Sequence, residues 1–150
     1  MKKLTCHDLL FKSIDIHTHS TGVILEHIIS GNYPVVQDVV DLSDSLHNNH
    51  IDYAVTFPMP FSVYYSSSAF WHEKQLLASG LCSIPYEPEN KSLLSLIDRF
   101  KIDNLLPFLS FSLHEKVSEQ LALLKELISN FPVYGLKYHT TTDCSREPLI

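Results

Sequence analysis

The chain has 150 residues, enough for one domain with its own hydrophobic core. Its composition, 45% hydrophobic and 19% charged with only 4 glycines, excludes a disordered or low-complexity chain. A net charge of −6, from 11 basic against 17 acidic residues with no basic run, argues against a surface that tracks nucleic-acid phosphates.

No segment approaches the roughly 20 apolar residues of a membrane span, so neither nucleic acid nor membrane is an expected partner. The opening Met1-Lys2-Lys3 leads into no apolar stretch of signal-peptide length, because Asp8 and Lys12 interrupt it. Cys6, Cys82 and Cys144 are odd in number and widely spaced, as expected of reduced thiols in a cytoplasmic protein.

The first element is predicted over residues 13–20. Ile14 and Ile16 alternate with Asp15, His17 and His19, the period-2 pattern of a strand. On a strand His17 and His19 project side by side, so their ring nitrogens can reach one point, as a shared metal ion requires. Asp15 stands one step deeper on that face, where it either fixes a histidine tautomer or helps hold the metal. Ile14 and Ile16 are expected to bury on the other face. The plainer reading of these residues is a polar strand end with two solvated histidines.

Residues 21–34 read as a loop with one short helical turn around residues 25–29. From 35 to 47, Val36, Val39, Val40, Leu42 and Leu46 recur at helical spacing, with Asp38, Asp41 and Asp44 on the wet side. Asn48-Asn49 ends that helix, and residues 51–57 form a second strand stopped by Pro58 and Pro60. The loop from Met59 to about Gly80 carries Phe61, Tyr64, Tyr65, Phe70 and Trp71, which suits either a pocket wall or lid or a packed insertion. His72-Glu73, without spaced partners, reads as surface.

Pro88-Glu89-Asn90 opens a helix that runs to Arg99-Phe100 on Leu93, Leu94, Leu96 and Ile97. Residues 104–111 form a third strand, apolar enough to be covered on both faces. A helix over 114–130 uses Val117, Leu121, Leu124 and Leu127, and residues 132–139 form a fourth strand.

Strands alternating with helices predict an α/β fold, a single domain over 1–150 with a parallel sheet and right-handed crossovers. In such sheets ligand and catalytic groups gather at the C-terminal strand ends. The fourth strand ends there in a histidine, with Lys137 and His139 on one face. His17, His19 and His139 then offer three imidazoles to one divalent cation. Three protein ligands plus an open position is the catalytic zinc arrangement. Zinc is the expected metal from imidazole ligation, with manganese and iron as alternatives. Lys137 beside a cation suits a base, an electrophilic clamp, a carbamylated metal bridge or a lysine snorkelling at the rim. Cys144 reads either as a late ligand or nucleophile or as an incidental loop cysteine.

With both clusters in view, the sequence resembles the amidohydrolase superfamily, and within it the aminocarboxymuconate-semialdehyde-decarboxylase-like branch of metal-dependent TIM barrels. Asp15-Ile16-His17-Thr18-His19 is similar to that family's first-strand metal motif. In order, Ile51-Asp52-Tyr53-Ala54-Val55, the helix from Asn90 to Asp98-Arg99-Phe100, Pro107-Phe108 and Gly135-Leu136-Lys137-Tyr138-His139 resemble later pieces of the family. The resemblance implies a metal-dependent hydrolase acting on a C–N or C–O bond of a small carboxylated molecule, or the sister decarboxylation.

It also implies eight strands, in a barrel of roughly 250 residues. This chain supplies about four of them, and the further histidine and the aspartate general base of the family belong to later strands. The expected fold is therefore the N-terminal half of a (β/α)8 TIM barrel, from a truncated chain, a broken gene or a split protein. Two other functions follow. Residues 15–20 also resemble the opening motif of PHP-type phosphoesterases, although Thr21-Gly22-Val23 replaces that family's Ser-Asp-Gly-like turn. From a different class, a non-catalytic half-barrel is expected to act by homo-oligomerisation or by pairing with a partner chain, because its sheet edges stay bare.

Overall fold

A computed structural model describes residues 3–20, 38–58, 63–64, 77–78, 84–113 and 116–138. Along the chain these form β1 (Ile14–Ser20), α1 (Val39–Asn48), β2 (Tyr53–Pro58), β3 (Val63–Tyr64), β4 (Leu77–Ala78), α2 (Glu87–Arg99), β5 (Leu105–Phe111), α3 (Val117–Asn130) and β6 (Gly135–Tyr138). The fold is α/β. β1, β2, β5 and β6 make one sheet in that spatial order, every pair parallel. β3 and β4 pair antiparallel as a separate two-stranded sheet inside the span expected to be loop. The predicted helical turn at 25–29, most of the aromatic loop, Cys82, His139 and Cys144 lie outside the described residues. Among the described residues no helix is long and apolar enough to cross a membrane.

Local chemistry sets the element ends. α1 starts at Val39 because the Asp38 carboxylate accepts the backbone N–H groups of Val40 and Asp41, both at 2.8 Å, satisfying two donors that the first helical turn leaves open. α2 carries Pro88 in its first turn, where a missing N–H costs nothing, with Glu87 and Glu89 at the positive end of the helix dipole. Pro58 ends β2 inside the strand, aligned with the last residue of β1.

All three helices pack on one face of the sheet. Val39, Leu42 and Leu46 of α1 meet Leu93 and Ile97 of α2 over Ala54 and Leu105, which are cross-strand partners. Leu94 of α2 and Leu123, Leu124 and Leu127 of α3 close over Leu109 and Val133. Leu105 and Leu109 are four apart on β5 and so share that face. Strand order therefore advances without reversal and with its helices on a single side, unlike a doubly wound sheet, which has helices on both.

Two helix side chains complete the sheet. The Asn90 amide donates to the Ser110 carbonyl at 2.8 Å and accepts the Ser110 N–H at 2.9 Å. Gln120 does the same for Ser112, accepting its N–H at 2.8 Å and donating to its carbonyl at 3.1 Å. Each amide takes the place of a strand peptide at the C-terminal end of β5, and both side chains are buried. At the opposite end, Asp52 ties the starts of β1 and β2 by accepting from the Ser13 N–H, the Ser13 hydroxyl and the Lys12 ammonium, each at 2.9 Å. The Ser13 backbone bond, then Lys12 and the Ser13 hydroxyl, lower the Asp52 carboxyl to about 2.

One expectation fails here. Ile14 is half-buried, but Ile16 is 77% exposed. The register shifts between Asp15 and Thr18, so the four steps from Asp15 to His19 match only the three from Ala54 to Phe57. That irregularity breaks the period-2 alternation at Ile16-His17.

Candidate metal centre

The sheet face opposite the helices carries the histidines. His19 aligns with Phe57. Phe57 and Phe108 each stand one residue beyond the Thr56–Pro107 pair, so they leave the sheet on the side opposite the helices. Phe108 aligns with Gly135, and Lys137 follows two residues later on the same face. Each strand thereby sends at least one side chain to a common patch near the C-terminal ends.

At the patch, His17 Nε2 and His19 Nε2 are 3.1 Å apart. Their ring centroids are separated by 5.1 Å with the planes tilted by 53°. Two imidazoles bound to one tetrahedral zinc at about 2.05 Å each would have their nitrogens roughly 3.3 Å apart. The pair is thus spaced as two ligands of a single ion, and its donor chemistry fits zinc. Without a cation the same distance accommodates one N–H···N bond, in which one ring donates and the other accepts. His17 is exposed and His19 half-buried, so the site opens to solvent on the His17 side.

Phe57 forms the floor. Its ring centroid is 5.1 Å from that of His17, edge-on at 68°, and 5.6 Å from that of His19 at 49°. The Lys137 ammonium sits 4.9 Å from the Phe57 centroid, within cation–π range. Lys137, His17 and His19 are therefore gathered around one aromatic ring, which they and Phe108 cover so well that Phe57 is only 6% exposed.

Asp15 reaches the pair through the backbone. Its Oδ1 accepts the His17 N–H at 3.0 Å, fixing the chain at the register shift just before the two imidazoles. Further hydroxyl bonds pin the end of β1 to β2. Thr18 Oγ1 donates to the Val55 carbonyl at 2.9 Å, and the buried Ser20 and Thr56 hydroxyls are 2.8 Å apart.

The structure brings His17, His19 and Lys137 together, joins Asp15 to His17, and leaves His139 outside the described residues. Among the described residues no group of three or more His, Cys, Asp or Glu side chains could hold a metal ion. The described donor set is the imidazole pair.

Sequence reasoning missed Phe57, Phe108, Asn90 and Gln120. A usable signal existed for the amides, since both fall among the apolar positions of their helices, where a polar residue must find a buried partner. For the aromatics the signal was their place at strand ends level with His19. No protein-family model, curated protein or solved structure matches this chain.

Proposed function

We propose that the chain is the N-terminal half of a (β/α)8 barrel and supplies part of the centre of a metal-dependent hydrolase of the amidohydrolase type. The observation that carries this reading is the convergence of His17 Nε2 and His19 Nε2 to 3.1 Å. The fold supports it, because the strand order is consecutive and the helices lie on one side, as in a barrel wall.

His17 and His19 would hold a divalent cation through Nε2, and His139, next in sequence after β6, is the residue proposed to complete the ligand set. When bound, such an ion, zinc by the preference of imidazole, supplies Lewis-acid activation of a carbonyl or of water. The chain's own residues do the rest. Lys137 presents a cation beside the imidazole pair and binds the carboxylate of a small anionic substrate. Phe57 closes the floor beneath the pair, so a bound substrate is met from the strand side by Lys137 and the imidazoles, with the His17 side open to solvent. Asp15 holds the His17 backbone in place. The reaction is hydrolysis of a C–N or C–O bond or the related decarboxylation.

Metal content of the purified protein tests the reading. Wild type retains zinc or a competing divalent ion in stoichiometric amount, and the His17→Ala, His19→Ala double variant loses it. Equal metal content in the two proteins removes the proposal.

A second reading has its own support. Leu121 and Ile128, seven apart on α3, and Leu136 on β6, the last strand in the sheet order, are each about half exposed. In that reading the half-barrel acts by associating with itself or with a partner chain. A monomer of 17.1 kDa in sedimentation velocity counts against it.

A further inference from the structure

The exposed His17 ring has two ring neighbours among the described residues, His19 and Phe57. The ring that touches both imidazoles is thus Phe57, and Phe57 is itself held from the next strand. Phe108 meets it edge-to-face, with centroids 5.6 Å apart and planes at 73°. Phe108 in turn lies across Gly135, its cross-strand partner on β6. A Cβ at residue 135 would clash with the edge of the Phe108 ring, so the ring keeps this position only over a glycine. The contacts form a continuous line across three strand boundaries, from Gly135 through Phe108 and Phe57 to the imidazole pair. Lys137 rests on the same Phe57 ring, two residues beyond the glycine.

We propose that Phe57, braced by Phe108 over Gly135, is the positioning residue that keeps His17 and His19 converged on one point. The proposal rests on reading those histidines as metal ligands. A side chain at residue 135 displaces Phe108, Phe57 loses its edge-on support, and the rings it holds are free to part. The imidazoles then lose the shared focus that an ion needs, although neither ligand has changed. Gly135 and Phe108 act through Phe57 and do not themselves touch the imidazoles.

Cobalt(II) titration at neutral pH tests this, with thermal unfolding followed on the same samples. Phe57→Leu and Gly135→Ala are each expected to weaken cobalt binding by about tenfold or more, the scale seen when the support of a metal ligand is removed. Leu109→Ala is the control, since Leu109 is buried among the helices on the other face and its truncation lowers stability without touching the line of rings. It is expected to bind cobalt as wild type does. Phe57→Leu binding as wild type does, while His17→Ala does not, overturns the positioning role and leaves the proposed function standing.

If wild type takes up no cobalt, the functional reading fails. The imidazole ¹H–¹⁵N spectrum of the metal-free protein then decides the positioning role. Loss of the hydrogen-bonded Nε2 signals in Phe57→Leu but not in Leu109→Ala supports it, and unchanged signals in Phe57→Leu overturn it.

Discussion

Truncating Asn90 should be among the most damaging single changes in the molecule, although it removes only an amide. The side chain is 1% exposed and bonds both the N–H and the carbonyl of Ser110. Its partner is backbone, so no second substitution can remove the groups left behind. Asn90→Ala strands a buried donor and a buried acceptor, each costing about 1–3 kcal/mol, or roughly 2–6 kcal/mol together. That is a large share of the 5–15 kcal/mol typical of a folded domain. Urea unfolding followed by far-UV circular dichroism measures it, compared at a common slope.

Two further variants separate lost volume from lost hydrogen bonds. Asn90→Leu fills the space but leaves both backbone groups unpaired, so it should be no more stable than Asn90→Ala. Asn90→Asp keeps an acceptor for the Ser110 N–H but faces the Ser110 carbonyl with a carboxylate. Its protonated form restores a donor, so folding raises that carboxyl's affinity for a proton. The variant should therefore be most stable below the unfolded carboxyl value of about 3.9 and lose stability as pH rises. An Asn90→Ala variant within about 0.5 kcal/mol of wild type would refute the strand-peptide role of the amide.

Leu109→Ala empties a site with 0% exposure beneath two helices and should cost about 2–5 kcal/mol in the same assay. Thr56→Val leaves the Ser20 hydroxyl buried without its 2.8 Å partner and should cost about 1–3 kcal/mol. Adding Ser20→Ala should recover most of that loss, a non-additivity read directly from a double-mutant cycle. Because the Asp52 carboxyl is lowered to about 2 from 3.8, its stabilising contribution is complete above the unfolded value and disappears as pH falls through about 2. Asp52→Asn should accordingly melt below wild type at pH 5 to 7, as roughly neutral conditions keep the carboxylate charged, with the two converging in strong acid.

The alternation of strands and helices was legible because each helix writes its own apolar stripe. Leu93, Leu94 and Ile97 or Leu123, Leu124 and Leu127 can be read without knowing what they cover. The fate of Ile16 was not legible. Period-2 logic buries it with Ile14, but the register shift is set by how β1 meets Ala54, Thr56 and Phe57 on a strand more than thirty residues away. Likewise, His17 and His19 announced themselves by type and spacing, whereas the ring beneath them did not. Phe57 is an ordinary strand residue until cross-strand register places it between the imidazoles and Phe108. The start of α1 moved for a local reason, since Asp38 reads as a polar-face residue in a longer helix but serves as its cap. What the sequence carried poorly was cross-strand information, and the candidate centre is built mainly from that.

The central claim is that His17 and His19 bind one ion together. Zinc K-edge X-ray absorption of the zinc-loaded protein tests it most directly, because imidazole rings give a recognisable multiple-scattering pattern that counts them. The account predicts one tightly held zinc with at least two imidazoles at about 2.0–2.1 Å, falling by one in His17→Ala and in His19→Ala. Zinc bound without imidazole scattering, or with a pattern unchanged in both variants, would contradict it.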